Sequence, residues 1–316
     1  MSLTLDIVEN AQRVLREYLP VTPLRAAASL GLDVHLKLEG ENPTGSFKPR
    51  GALHAVWRKL QDGPLEGVVT SSTGNHGAGV AFAAQKFHLP ATVFLPQNPN
   101  PVKRARIAAL GATIIEAGRD YDAARDYAAQ YATERGWYFV EDGRDPHITP
   151  GPATIGLEIV EQFPVVDTIY VPVGDSTLIR GLAFAAKARK PDVRIVGAQA
   201  ERAPAYYRSW KERQVITTDT ADTIADGLAV RCPTEENIRA IRELVDDIVL
   251  VRDDDMLRAV RKLLLDEHVV AEPSGAATTA AFLKSGASAR GRNVVLLVTG
   301  ANLTPEYLRR AALIDL

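Results

Sequence analysis

Residues 34–52 join an apolar run to a turn rich in small residues and proline, since VHLKLE at residues 34–39 leads to NPTGSFKPRGA at residues 42–52. Lys48 lies in this turn beside Phe47. A compact turn and an aromatic neighbour can shield an amine from water, which lowers its pKa and leaves a neutral nucleophile able to form an imine with an aldehyde. Most lysines are instead solvated at the surface, so Lys48 taken alone predicts no chemistry.

Around this segment, short β-branched runs alternate with alanine-rich amphipathic stretches. The runs are typical of buried parallel strands, and they lie at residues 67–70, 91–95, 113–115, 168–171, 194–197 and 294–298. The stretches have the length and spacing of crossover helices, as at residues 77–87, 121–135 and 178–190. We therefore predict an α/β fold with doubly wound parallel sheets, whose functional motifs lie at the carboxyl ends of the strands.

Length and composition narrow the class of protein. A chain of 316 residues is long enough for two domains. A net charge of −2 without a basic block makes nucleic acid an unexpected partner. No run approaches the roughly 18 to 20 apolar residues that cross a bilayer, and residues 1–12 lack a signal-peptide pattern. We expect a cytoplasmic protein without a membrane partner.

The cysteine content contributes little to the prediction of function. Cys232 is the single cysteine, which excludes an intrachain disulfide and a cysteine-based zinc site. We expect its thiol to pack in the core.

Four further motifs follow the lysine segment, namely SSTGNHG at 71–77, TIADG at 223–227, EPSGA at 272–276 and TGAN at 299–302. In order and spacing, the set resembles the threonine/serine dehydratase and serine racemase branch of the fold-type II pyridoxal 5'-phosphate (PLP) enzymes, over nearly the whole chain. The resemblance implies a tryptophan synthase β-like fold with PLP in a cleft between two domains. A large domain of residues 1–43 and 145–316 would bind PLP, residues 44–144 would form a smaller inserted domain, and the enzyme would be a homodimer.

The motif at 71–77 follows a predicted strand and opens a predicted helix. Its backbone N–H groups and the helix dipole suit the carboxylate of an amino acid, although Ser, Thr and Asn also commonly just cap helices. The resemblance implies that Lys48 holds PLP with Phe47 beside it, and that Asn75 hydrogen-bonds the phenolic oxygen of PLP. It also implies that the substrate contacts Ser72, Thr73, Gly74, Asn75 and His76.

A phosphate site is predicted in VGDSTLIRG at 173–181, which follows a strand and precedes an alanine-rich helix. Related enzymes carry a run of glycines here, of which this chain keeps Gly174. Hydroxyls can replace some amide contacts, but a carboxylate would repel a phosphate unless Asp175 turns away to cap the helix or pairs with Arg180. The predicted phosphate contacts are Gly174, Asp175, Ser176, Thr177 and Leu178.

The remaining two motifs concern the cofactor ring. Thr299 stands where the resemblance places a hydroxyl facing the pyridine nitrogen, and Gly227 can approach the ring because it lacks Cβ. A neutral hydroxyl does not hold the ring nitrogen protonated as a carboxylate would, which weakens the electron sink and favours prompt loss of a β-substituent. Thr299 could also be a merely packed or capping threonine. For Asp226 and Glu272, structural hydrogen bonding is at least as good an interpretation as proton transfer.

The resemblance implies a PLP-dependent lyase that performs deaminating β-elimination on L-threonine or L-serine, giving a 2-oxo acid and ammonia. Lys48 would remove the Cα proton. The chain stops soon after Thr299, without room for an effector-binding domain, so we expect a role in amino-acid catabolism. A cation site of related enzymes would begin at Glu201, but Tyr207 replaces an expected aspartate, so no metal is predicted.

Three alternatives stay open. The substrate could be another 3-hydroxy amino acid, such as a phenylserine or hydroxyaspartate. The enzyme could be a serine racemase with Thr73 as the second base, although a β-branched threonine is a poorer candidate than serine. The chain could also bind PLP without turnover, given the altered loop at 175–177. β-Replacement is disfavoured by the dehydratase-like motifs.

Overall fold

The computed structural model describes residues 3–72, 74–97, 99, 101–119, 121–286 and 293–315. The strands are β1 (Leu24–Ala26), β2 (Val34–Leu38), β3 (Val68–Ser71), β4 (Ala91–Leu95), β5 (Thr113–Glu116), β6 (Tyr138–Phe139), β7 (Thr168–Pro172), β8 (Arg194–Ala200), β9 (Asp247–Val251) and β10 (Val294–Val298). The helices are α1 (Leu5–Leu15), α2 (Lys48–Leu60), α3 (Asn75–Lys86), α4 (Pro101–Ala109), α5 (Tyr121–Arg135), α6 (Pro150–Gln162), α7 (Thr177–Arg189), α8 (Ala205–Glu212), α9 (Glu235–Leu244), α10 (Asp253–Asp266), α11 (Pro273–Ser285) and α12 (Pro305–Leu313).

The Cα positions group the chain into two compact units. Unit 1 comprises Met1–Pro20 and Phe47–Pro152, and unit 2 comprises Val21–Ser46 and Ala153–Leu316. The predicted domain boundaries stay a prediction, and this grouping differs from them in placing the first 20 residues with the smaller unit. Leu15 and Leu19 explain the placement, because they are buried in one cluster with Leu53 of α2.

Unit 1 is built on a parallel four-stranded sheet in the order β5-β4-β3-β6. Every residue of β3 and β4 is buried, as expected for central strands covered on both faces. Helices α2 and α3 pack against each other, and small residues line their buried sides, among them Ala52, Ala55, Ala83 and Ala84. The carboxyl ends of β3 and β6 lie side by side, because these two strands pair in parallel.

Unit 2 is built on a six-stranded sheet in the order β1-β2-β10-β7-β8-β9. All neighbouring pairs are parallel except β1 with β2. The central strands β10 and β7 are buried along their whole length, and the alanine-rich helix α11 packs on both. Lys37 of β2 and Glu158 of α6 form a buried ion pair, in which Lys37 Nζ donates a 2.6 Å hydrogen bond to Glu158 Oε2.

The predicted α/β class is confirmed, and the six predicted strands and three predicted helices all form. Cys232 is a correction: it is exposed in the irregular segment before α9, so the expectation of a packed thiol is wrong. Within the described residues, no helix has both the length and the apolar character needed to cross a membrane.

Candidate active site

Lys48 is the first residue of α2 rather than a residue of the preceding turn, and Pro49 follows it where a helix tolerates proline. Its side chain is 18% exposed, and its Nζ lies 5.0 Å from the centroid of the Phe47 ring. A Cβ built on Gly79 of α3 would lie 3.0 Å from the Lys48 carbonyl carbon. The close approach of α3 therefore fixes the backbone of Lys48, and the predicted shielding of the amine is present.

A carboxylate that the sequence analysis did not select faces this amine. Lys48 Nζ donates a hydrogen bond to Asp142 Oδ2 within unit 1. Asp142 lies just beyond β6, whose carboxyl end is adjacent to that of β3. The available signal was an acidic pair, Glu141 and Asp142, after the aromatic pair of β6. Two residues are too short a run to be recognised as a strand from sequence.

The motif at 71–77 joins β3 to α3 as predicted. Ser71 ends β3, Gly74 precedes the helix, and the Gly74 N–H donates a 3.2 Å hydrogen bond to Ser72 Oγ. Asn75 is half-buried at the first position of α3, and His76 is buried behind it. Thr73, the predicted substrate contact and second base, lies outside the described residues.

The predicted phosphate loop joins β7 to α7 in unit 2. Ser176 adopts a left-handed conformation with φ of +72°, and Thr177 begins the helix. The carboxylate of Asp175 turns to the helix start, because its Oδ1 accepts a 2.8 Å hydrogen bond from Thr177 N. Of the two orientations compatible with a phosphate, the structure thus has the capping one.

Two residues absent from the prediction hold Asp175 in place. The Tyr206 hydroxyl donates to the Asp175 carbonyl oxygen at 2.8 Å, and Asn237 Nδ2 donates to the Tyr206 hydroxyl at 3.1 Å. Burial raises the pKa of Tyr206, so its hydroxyl stays a neutral donor. Neither residue could be found from sequence, because α8 and α9 carry no motif that connects them to the loop.

The loop leaves polar groups ready for an anion. Thr177 Oγ1 is buried and has no hydrogen-bond partner among the described residues, whereas the buried Ser176 hydroxyl lies close enough to the Tyr206 hydroxyl to interact with it. Leu178 is buried at the second position of α7, where a backbone N–H has no intrahelical acceptor. A Cβ on Gly174 would lie 2.4 Å from the Gly227 carbonyl oxygen, so glycine is required there. These residues fit a phosphate group.

The glycines of the other motifs in unit 2 lie close to polar side chains. Gly227 N donates to Ser274 Oγ at 3.2 Å and to Asp226 Oδ1 at 3.0 Å. A Cβ on Gly300 would lie 2.1 Å from Glu272 Oε1. Asp226 and Glu272 thus have the structural contacts that one interpretation expected.

Thr299 directly follows β10 and is 5% exposed. It shares this position at a strand end with the motif after β3 and the loop after β7. Gly227 and Glu272 lie against residues that follow β7 and β10, because the Gly227 carbonyl oxygen approaches Gly174 and Glu272 N donates to the Gly300 carbonyl oxygen at 3.0 Å. Lys48 begins α2, and its amine contacts Asp142 just beyond β6. These three residues are therefore also near the carboxyl ends of strands.

Unit 1 carries a shielded lysine amine and unit 2 carries a hydroxyl-lined helix start, and each is a feature expected of enzymes that attach a phosphorylated aldehyde to lysine. The chain belongs to the family of pyridoxal-phosphate dependent enzymes, whose family model matches residues 15–300. The predicted family and PLP as the cofactor are thereby confirmed.

Relatives of known activity cover almost all of the chain. L-threonine ammonia-lyase of Thermotoga maritima is 35% identical over 98% of this chain and 78% of its own length. The catabolic L-threonine dehydratase of Staphylococcus aureus is 33% identical over 95% of this chain and 89% of its own length. Among solved structures, maize serine racemase superposes with a TM-score of 0.92 at 29% identity, covering 99% of this chain and 97% of the racemase.

Proposed function

We propose that the chain is a PLP-dependent ammonia-lyase that converts L-threonine to 2-oxobutanoate and L-serine to pyruvate, with release of ammonia. The observation that carries the proposal is the shielded Lys48 amine at the start of α2, in a chain similar over 98% of its length to an L-threonine ammonia-lyase. Amino-acid catabolism is the proposed role.

The proposed roles rest on the resemblance to this family and are compatible with where the side chains lie in each unit. PLP, when bound, supplies an aldehyde for a lysine and a ring that withdraws electrons from the substrate Cα. The hydroxyls of Thr177 and Ser176 would hold the phosphate together with the Leu178 N–H of α7, since the Thr177 N–H is donated to Asp175 Oδ1. Thr299 would offer a hydroxyl to the ring nitrogen, and Gly227, which lacks Cβ, would let the ring approach its backbone.

The substrate is held and deprotonated by unit 1 in this proposal. Ser72, Gly74 and the first N–H groups of α3 bind the substrate carboxylate, and Asn75 orients the cofactor through its phenolic oxygen. Lys48 in its neutral form accepts the proton from the substrate Cα. With the cofactor bound, the β-hydroxyl would take up a proton and leave as water, and the enamine released to solvent would tautomerise and hydrolyse to the 2-oxo acid and ammonia.

The test is release of 2-oxo acid from purified protein supplied with PLP and one amino acid at a time. L-Threonine and L-serine should give product, and Lys48→Ala should give none. A preference for phenylserine or hydroxyaspartate would change the substrate while keeping the chemistry. No 2-oxo acid from any of these substrates would favour a PLP-binding protein without turnover.

Serine racemisation is the second candidate, because this chain superposes on 97% of the maize serine racemase structure with a TM-score of 0.92. It requires a base on the other face of the substrate, for which Thr73 is the predicted residue. Chiral chromatography of L-serine reactions measures it directly. We expect D-serine to form more slowly than pyruvate.

A homodimer in the cytoplasm completes the proposal. It is supported by the resemblance in sequence to enzymes of this branch. Light scattering on the purified protein measures the molar mass of the assembly, which should be twice that of the 34.2 kDa chain.

A further inference from the structure

Asp142 holds the amine on which the proposed chemistry depends. Its Oδ2 accepts a hydrogen bond from Lys48 Nζ, and the two groups form an ion pair. The Lys48 and Asp142 side chains are only 18% and 20% exposed. Solvent therefore screens their attraction less than it screens a pair on the open surface.

The fold fixes the position of this carboxylate from both sides. On one side, the Val140 carbonyl oxygen accepts hydrogen bonds from Thr70 Oγ1 at 2.8 Å and from His76 Nε2 at 3.1 Å. On the other side, Asp145 accepts hydrogen bonds from the Tyr138 hydroxyl and, at 2.9 Å, from His147 N. Asp142 thus lies on a loop attached to β3, α3 and β6 rather than on a free surface segment.

The other titratable groups near Asp142 are placed differently. His76 Nε2 must carry a hydrogen, since its partner is a carbonyl oxygen, and its Nδ1 lies 3.7 Å from Asp142 Oδ1, beyond hydrogen-bond distance. On the loop itself, Glu141 pairs with Arg144 at 3.4 Å. Lys48 on α2 is therefore the cation that makes the hydrogen bond to Asp142.

We propose that Asp142 is a positioning residue that serves as the counter-ion of Lys48, holding its Nζ in place and keeping it protonated until the cofactor aldehyde arrives. This inference rests on the proposed function, in which Lys48 is the anchoring amine. The ammonium must first give a proton to the Asp142 carboxylate or to solvent. The neutral amine then attacks the aldehyde carbon, and a C=N bond replaces the C=O bond with release of one water.

The consequence is a measurable change in the titration of Lys48. An opposite charge within hydrogen-bond distance favours the charged form of an amine by about 1 to 3 pH units. Removing the carboxylate in Asp142→Asn should lower the titration midpoint of Lys48 by at least about 1 unit. At a fixed pH below both midpoints, Lys48 should then react with an acylating reagent about tenfold faster.

This midpoint can be measured by competitive labelling of the cofactor-free chain with acetic anhydride across a pH series. Mass spectrometry of the peptide that contains Lys48 gives the extent of labelling at each pH. Asp142→Asn and Asp142→Ser should both lower the midpoint, and Asp142→Glu should restore part of the difference. Glu141→Gln is the matched control, because it removes a charge from the same loop away from Lys48, and should shift the midpoint by less than about 0.3 unit. Equal midpoints in the wild type and in whichever Asp142 variant folds would overturn the proposal.

Borohydride treatment after loading with PLP separates this proposal from the proposed function. A pyridoxyl group on Lys48 together with unchanged midpoints would refute the role of Asp142 alone. A shifted midpoint without any pyridoxyl group on Lys48 would refute the proposed function and leave the ion pair intact.

Discussion

Thr177 places a single hydroxyl where the phosphate of PLP is proposed to bind. Its Oγ1 is buried and, within the described residues, has no hydrogen-bond partner. Thr177→Val keeps the shape of the side chain and removes the hydroxyl. A hydrogen bond to a charged group contributes about 1.5 to 3 kcal/mol, so the dissociation constant of PLP should rise about tenfold to a hundredfold, as measured by fluorescence titration.

Thr279→Val is the matched control for this substitution. Thr279 lies in α11, and its buried Oγ1 also lacks a partner within the described part of the chain. The control should leave PLP affinity unchanged. Equal affinities for the wild type and Thr177→Val would remove Thr177 from the phosphate site.

His54 should make unit 1 sensitive to acid. Burial lowers the pKa of His54 to about 4, and its Nδ1 lies 2.7 Å from the His147 carbonyl oxygen, to which it donates. The unfolded chain protonates this imidazole near its ordinary pKa of about 6.5, whereas the folded chain does not until about 4. The His54 contribution to stability is complete above about pH 6.5 and falls by about 1.4 kcal/mol per unit as the pH drops towards 4.

Urea unfolding of wild type and His54→Asn at pH 7.5 and pH 5 measures this effect. The asparagine amide can still donate to His147 but does not titrate, so the variant should lose about 2 kcal/mol less than the wild type on acidification. His88→Asn is the control, since His88 is exposed and its φ of +55° suits asparagine. An equal loss in the wild type and His54→Asn would contradict the assignment.

Single residues divide clearly into those that the sequence revealed and those that it did not. Lys48 was predicted because its neighbours form a specific motif, and the structure shields its amine as expected. Asp142 was missed because it lies 94 positions from Lys48 along the chain and is brought to the carboxyl end of β3 by the pairing of β3 with β6. Tyr206 was missed for a similar reason.

At the level of elements, the buried ion pair between β2 and α6 provides a test of packing in unit 2. Lys37 is fully buried, and its Nζ also donates to the Thr22 carbonyl oxygen at 2.7 Å. Lys37→Met would leave the Glu158 carboxylate buried without its cation, which costs about 3 to 5 kcal/mol. Urea unfolding should show this loss.

Lys37→Met combined with Glu158→Leu should recover most of the stability, because a buried ion pair can often be replaced by apolar residues. Asp62→Asn breaks the exposed pair with Arg58 and serves as the control, with an expected loss below about 1 kcal/mol. If Lys37→Met lost no more unfolding free energy than the Asp62→Asn control, the ion pair would not be what holds α6 to β2.

The elements themselves were predictable where their patterns were long. The fully buried strands β4, β7 and β10 and the alanine-rich helices α3 and α7 follow directly from apolar runs and spacing. β1 and β6 were missed because they have three and two residues, too few to show a period. β9 was missed because it begins with an aspartate and is only partly buried.

The Cα positions divide the chain into two α/β units, and each unit carries some of the proposed functional residues. The family was recognisable from five motifs in a particular order, whereas no single motif would have specified the family. The domain boundaries were harder to predict, because the contacts of α1 with α2 depend on packing rather than on a motif. Side-chain selectivity for the substrate is likewise outside the reach of sequence patterns, since it depends on pocket volume.

The most direct test of the account is borohydride reduction of the PLP-loaded protein, followed by peptide mass spectrometry. We expect a pyridoxyl group on Lys48 in the wild type and none on that peptide in Lys48→Ala. A pyridoxyl group on a different lysine of the wild type, or on none after reconstitution with PLP, would contradict it.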